Sequence, residues 1–113
     1  MTAPFAAGQV VTVFRSRLRD DVDPRYEPLD GALRARAAAL GGLVDVTSFV
    51  ADDGERVTVV TFADRESHER WARDAVHRDA QRWGRSELYE SYSIQVASCT
   101  RATEFAVAAE GDR

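Results

Sequence analysis

"LVDVTSFVADDGERVTVVTFA", residues 43–63, decides the fold. Residues 43–51 and 55–63 are rich in Val, Thr and Phe, the side chains that suit a pleated, half-buried surface. The "DDG" between them is a turn signal, so the stretch reads as a β-hairpin.

On the N-terminal side, "QVVTVFRSRL" predicts a strand over Gln9–Leu18, broken by "RDDVDP". Asp23 suits a helix N-cap and Pro24 the first helical position. Tyr26, Leu29, Leu33, Ala37 and Leu40 then recur at spacings of three and four, one face of a helix. Pro28 and Gly31 weaken its first turns, and Gly41-Gly42 ends it. Beyond the hairpin, "DRESHERWARD" opens a second helix with Asp64 as N-cap, running to Gly84 or Leu88. "YESYSIQVASCTR" is the last strand. The order β-α-β-β-α-β predicts an α+β, ferredoxin-like split βαβ fold: a four-stranded antiparallel sheet with two helices on one face. Residues 1–8 read as a flexible arm, 9–101 as the domain, and 102–113 as a tail that wanders or packs on a partner.

Val10, Val11, Val13 and Phe14, and again Val57, Val59, Val60 and Phe62, are nearly continuous apolar runs. A sheet wet on one face alternates apolar with polar instead. Both faces are therefore expected to be covered, one by the helices and one by a second copy of the chain, giving a homodimer.

Composition narrows the function classes. The chain has 113 residues, 44% hydrophobic and 30% charged, with a net charge of −4 and every one of its 15 basic residues an arginine. The arginines are scattered among acids, so no electrostatic footprint for nucleic acid exists. Cys99 is the only cysteine, in an apolar strand, and reads as a packed thiol. "MTAPFAAGQ" lacks the basic region of a signal peptide, and no apolar run approaches the roughly 20 residues of a membrane span. A cytoplasmic location is expected. No G-x-S-x-G elbow, phosphate-binding glycine loop or dinucleotide fingerprint occurs, so no cofactor is expected. His68 and His77 are the only histidines and have no cluster of other ligands, so no metal site is expected either.

The chemistry concentrates in "RWARDAVHRDAQRWGR", residues 70–85. If the helix restarts near Val76, His77, Ala80, Gln81, Gly84 and Leu88 share a small, polar face suited to lining a pocket. If it runs unbroken from Asp64, Trp71, Ala72, Ala75, Val76 and Trp83 form the apolar arc and His77 points to solvent.

"VTVFRSRLR", "DVTSFVADDGERVTVVTF", "RWARDAVHRDAQRWGR" and "YESYSIQV" together resemble the antibiotic biosynthesis monooxygenase family of dimeric α+β barrels. The resemblance covers about residues 9–101. It implies a pocket between the helices and each protomer's own sheet, a break in the second helix, and the Thr12, Phe14 and Ser16 face on the pocket side. The family includes cofactor-independent oxygenases of aromatic polyketides and haem-degrading enzymes, and related barrels are polyketide cyclases.

The haem-degrading pattern is an Asn on the first strand, a Trp on the second helix, and a ligating His ten residues later. Here those positions hold Phe14, Trp71 and Gln81. A glutamine amide is a poor haem-iron ligand, so haem chemistry is disfavoured. The resemblance instead implies a monooxygenase acting on a polyketide-type phenol or anthrone. His77 is the candidate base or hydrogen-bond partner. Trp71 and Phe14 are walls, and Gln81 and Tyr92 orienting polar groups. The alternatives are a non-catalytic small-molecule-binding dimer and a cyclase or isomerase.

Overall fold

The computed structural model describes residues 4–20 and 26–107. Strand β1 spans Val10–Leu18, helix α1 Tyr26–Leu40, strands β2 and β3 Leu43–Val50 and Arg56–Phe62, helices α2 and α3 Arg65–Arg73 and Ala75–Trp83, and strand β4 Tyr89–Ser98. All pairings are antiparallel and the strand order is β2-β3-β1-β4, the ferredoxin-like arrangement. The hairpin closes over residues 51–55, where Ala51 N–H donates to Glu55 O and Gly54 N–H to Ala51 O.

The second of the two expected helices is interrupted, as the resemblance implies, and forms α2 and α3. The break falls at Asp74, whose backbone is extended (ψ 130°) and whose side chain accepts the His77 N–H to start α3. A short polar residue that satisfies an orphan donor makes such a restart cheap. After α3 the chain makes a five-residue π-turn, Gly84–Leu88, before entering β4. Cys99, expected inside the last strand, lies one residue beyond it, and its thiol donates to Arg101 O.

Local chemistry explains the other boundaries. The alanine-rich second half of α1 is strongly helix-forming, and Gly41 and Gly42 end it at φ +87° and +82°. A Cβ on Gly42 would lie 2.2 Å from the Ser67 Cβ, so glycine is required there for closeness as well as conformation. Asp64 accepts Ser67 N–H at 2.8 Å, and Ser67 Oγ lies 3.4 Å from Asp64 N, a capping box that starts α2. The expected cap at Asp23 and Pro24 lies outside the described residues, as does the side chain of Tyr26.

Buried apolar side chains among the described residues are few: Val10, Ala37, Phe62 and Leu88. Thr12, Phe14 and Ser16 of β1 face the helices together with Thr58 and Val60 of β3 and Tyr92, Ile94 and Val96 of β4. By strand alternation the opposite face carries Val11, Val13, Val57, Val59 and the exposed Phe49. At the N-terminal end the buried Gln9 side chain bonds Ala6 N–H and Pro4 O, and Gly8 and Gln9 pair with Cys99. Residues 100–107 have no regular secondary structure, and Phe105 is 87% exposed.

Candidate functional site

A cavity of about 310 Å³ lies between the three helices and the sheet. That volume is at the small end of the range for ligand pockets. Thr12, Phe14, Ser16, Trp71, His77, Gln81 and Tyr92, the seven residues singled out from sequence, all line it. The restart at Asp74 brings His77, Ala80 and Gln81 to the cavity, while Gly84 and Leu88 are buried outside its lining.

The histidine is held closely. Its imidazole stacks on the Trp71 indole, and Nδ1 lies 3.0 Å from the Trp71 carbonyl oxygen. A carbonyl oxygen only accepts, so Nδ1 carries the proton. In the neutral ring Nε2 is then the bare nitrogen, available to take a proton. Burial is the main influence on His77 and pushes its pKa below the ordinary imidazole value, with His68 acting in the same direction. The bond to the Trp71 carbonyl and the charge of Asp74 oppose it.

Asp74 itself is nearly enclosed, its side chain 7% exposed, and Arg36 of α1 donates to it at 2.8 Å. That hydrogen bond is the chief reason its carboxyl is held below the usual range.

The sheet side supplies aromatic walls. Phe14 packs against Tyr89 and Tyr92, each ring centroid 5.5 Å away. Arg85 donates to the Tyr92 hydroxyl at 3.2 Å. Tyr89 sits directly over Gly84, where an added Cβ would lie 2.7 Å from the ring. Thr12 Oγ1 is shielded from solvent and has no hydrogen-bond partner among the described residues. His68 lines the cavity and packs edge-on against Phe62.

One end of the cavity is polar, which the sequence reading missed. Arg34 donates to Asp30 at 2.9 Å and to Ser48 Oγ at 2.6 Å, and Ser48 Oγ lies 2.9 Å from Thr58 Oγ1. The i,i+4 spacing of Asp30 and Arg34 was the available signal, but it reads equally well as a solvated helix pair. Among the described residues no group of three or more His, Cys, Asp or Glu converges as a metal site would require. No helix among them is long and apolar enough to cross a membrane.

No protein-family model matches the chain. The uncharacterized protein YqjZ of Bacillus subtilis is 29% identical over 93 residues, 82% of each chain. The fold is that of SnoaB, a cofactor-independent oxygenase from Streptomyces nogalater, with a TM-score of 0.70 at 16% identity over 85% of this chain and 97% of that one. Rv0793 from Mycobacterium tuberculosis matches with a TM-score of 0.72 at 15% identity, covering 85% of this chain and 99% of that one. A dimeric ferredoxin-like protein of unknown function from Bacteroides fragilis matches with a TM-score of 0.63 at 16% identity, over 83% and 99% of the two chains.

Proposed function

We propose that the protein belongs to the antibiotic biosynthesis monooxygenase family and is a cofactor-independent oxygenase of a polyketide-type phenol or anthrone, working as a homodimer. The observation that carries this reading is the bare Nε2 of a desolvated His77 in a cavity walled by Trp71, Phe14 and Tyr92. His77 takes the acidic proton of the substrate. The resulting anion is electron-rich and passes one electron to dioxygen, giving a substrate radical and superoxide. These combine to a peroxide anion, which takes the proton back from His77 and then loses water to leave a carbonyl: one dioxygen is consumed, one oxygen atom is retained and the base is regenerated. The protein supplies orientation, desolvation and stabilisation of the anion. Trp71 and Phe14 hold the planar ring, while Gln81, Tyr92, Thr12 and Ser16 offer amide and hydroxyl groups to its oxygens.

The fold of SnoaB, an oxygenase described as cofactor-independent, supports the same reaction class. The homodimer is supported by the apolar open face and the small buried core. A specific observation also favours a second reading. Phe14 stands where the haem-degrading pattern has an Asn, and this apolar side chain suits a binder or a cyclase as well as an oxygenase.

The test begins with thermal shift against phenols, anthrones, quinones and haem, followed by oxygen uptake with whichever compounds stabilise. A ligand at 100 times its Kd stabilises by about 2.7 kcal/mol. Oxygen uptake that is lost in His77→Ala is the expected result, and unchanged turnover in that variant overturns the role of His77. Product formed under nitrogen indicates the cyclase, and binding without product the binder.

A further inference from the structure

We propose that Asp74 is a positioning residue for His77, its carboxylate clamping the break between α2 and α3 so that the imidazole is held as the Nδ1–H tautomer with Nε2 toward the cavity. The proposal deepens, and rests on, the reading of His77 as the base.

In an uninterrupted helix the His77 N–H would bond Arg73 O, and a side chain six residues on would point away from the Trp71 carbonyl. Here Asp74 is extended, and its own N–H donates to Trp71 O at 3.2 Å. Its Oδ2 accepts the His77 N–H at 3.1 Å, which fixes where α3 begins. Its Oδ1 accepts Arg36 Nη2 at 2.8 Å and Nε at 3.2 Å. One enclosed carboxylate thus ties α1, α2 and α3 together, and the resulting turn lets the ring of residue 77 reach the carbonyl of residue 71.

A tautomer is being selected by this arrangement. A free neutral imidazole in water favours the Nε2–H form, which would leave Nε2 unable to accept a proton. The Trp71 carbonyl reverses that preference, and it does so only while the turn keeps the two groups together. The charged and titratable groups around His77 are Asp74 within the turn, Arg36 of α1 behind Asp74, and His68 of α2. None but the turn itself supplies the acceptor for Nδ1.

Imidazole nitrogens report their tautomer directly in long-range 1H–15N spectra of protein labelled with 15N-histidine. His77 is assigned with His77→Gln, and His68 serves as the control in every sample. The wild type is expected to show His77 as Nδ1–H at neutral pH. Asp74→Ala is expected to lose that signature toward Nε2–H, with His68 unchanged. Asp74→Asn keeps an acceptor for the His77 N–H and is expected to restore the wild-type pattern. If Asp74→Ala does not fold, Arg36→Gln carries the test, with a growing Nε2–H fraction expected as the clamp loosens.

An intact Nδ1–H signature in folded Asp74→Ala, or in Arg36→Gln where that variant stands in, overturns the positioning role. So does a wild-type ring in the Nε2–H form. Failure of the wild type to bind or oxidise any phenol removes the base role alone, because the tautomer spectra need no substrate.

Discussion

The imidazole of His77 lies on the indole of Trp71 with ring centroids 3.9 Å apart and planes inclined by 14°. The base candidate and the aromatic wall are therefore one unit, and disturbing either ring disturbs the other.

This contact makes Trp71 a reporter. An imidazolium stacked on an indole quenches its emission, so fluorescence of a Trp83→Phe protein is expected to fall as His77 takes its proton. Because burial holds His77 below the value of about 6.5 for an ordinary imidazole, the midpoint is expected below that pH. A midpoint at or above about pH 6.5 would contradict the assignment.

The same shift sets the acid stability of the fold. The unfolded chain binds a proton at His77 before the folded one does, so stability is complete above about pH 6.5 and declines as pH falls below it. Asp74 is lowered instead by Arg36, so its contribution persists to more acid pH and is lost once pH falls through its depressed pKa. Urea midpoints measured across this range are expected to show the first decline in the wild type and its absence in His77→Gln.

Thr12→Val removes a shielded hydroxyl without a partner among the described residues at little change of shape. The variant is expected to be more stable than the wild type by about 1 kcal/mol in chemical denaturation. Its thermal shift with phenols should shrink, since Thr12 is one of the few polar groups on the floor of the cavity. A loss of stability would mean that the hydroxyl is bonded within the protein.

Gly84 has ordinary helical backbone angles, so its need for glycine is purely spatial. Gly84→Ala pushes the Tyr89 ring against Phe14, at a cost of about 1–3 kcal/mol. Affinity for planar ligands is expected to fall with it. A variant that binds as tightly as the wild type would show that the Phe14 wall does not depend on Tyr89.

On the open face, Val59 stands opposite Val13 across the β1–β3 ladder. Val59→Glu places a charge in the centre of that surface and is expected to convert a dimer to monomers in sedimentation velocity. A wild type that is already monomeric at micromolar concentration removes the homodimer reading.

The sheet was legible because strand signals are local. Val, Thr and Phe runs, the "DDG" turn and the Gly41-Gly42 stop each act within a few residues, and the element order follows from them. The break at Asp74 was not decided by periodicity, because both phases of residues 70–85 give an acceptable apolar face. A tertiary partner settles it: Arg36, 38 positions away, holds the aspartate that ends one helix and starts the next. The polar end of the cavity was hidden for the same reason. Arg34 reads as half of a surface pair until β2 brings Ser48 within 2.6 Å of it.

The π-turn at 84–88 sets the phase of the strand that follows. Strand side chains alternate, so one residue more or fewer before Tyr89 exchanges every inward position for its outward neighbour. Removing one residue while the turn keeps its width draws β4 back by one position. Ser93, Gln95 and Ala97 would then stand where Tyr92, Ile94 and Val96 line the cavity. A single-codon deletion that shifts the strand would put a hydroxyl and an amide where the cavity now has an aromatic ring and an isoleucine.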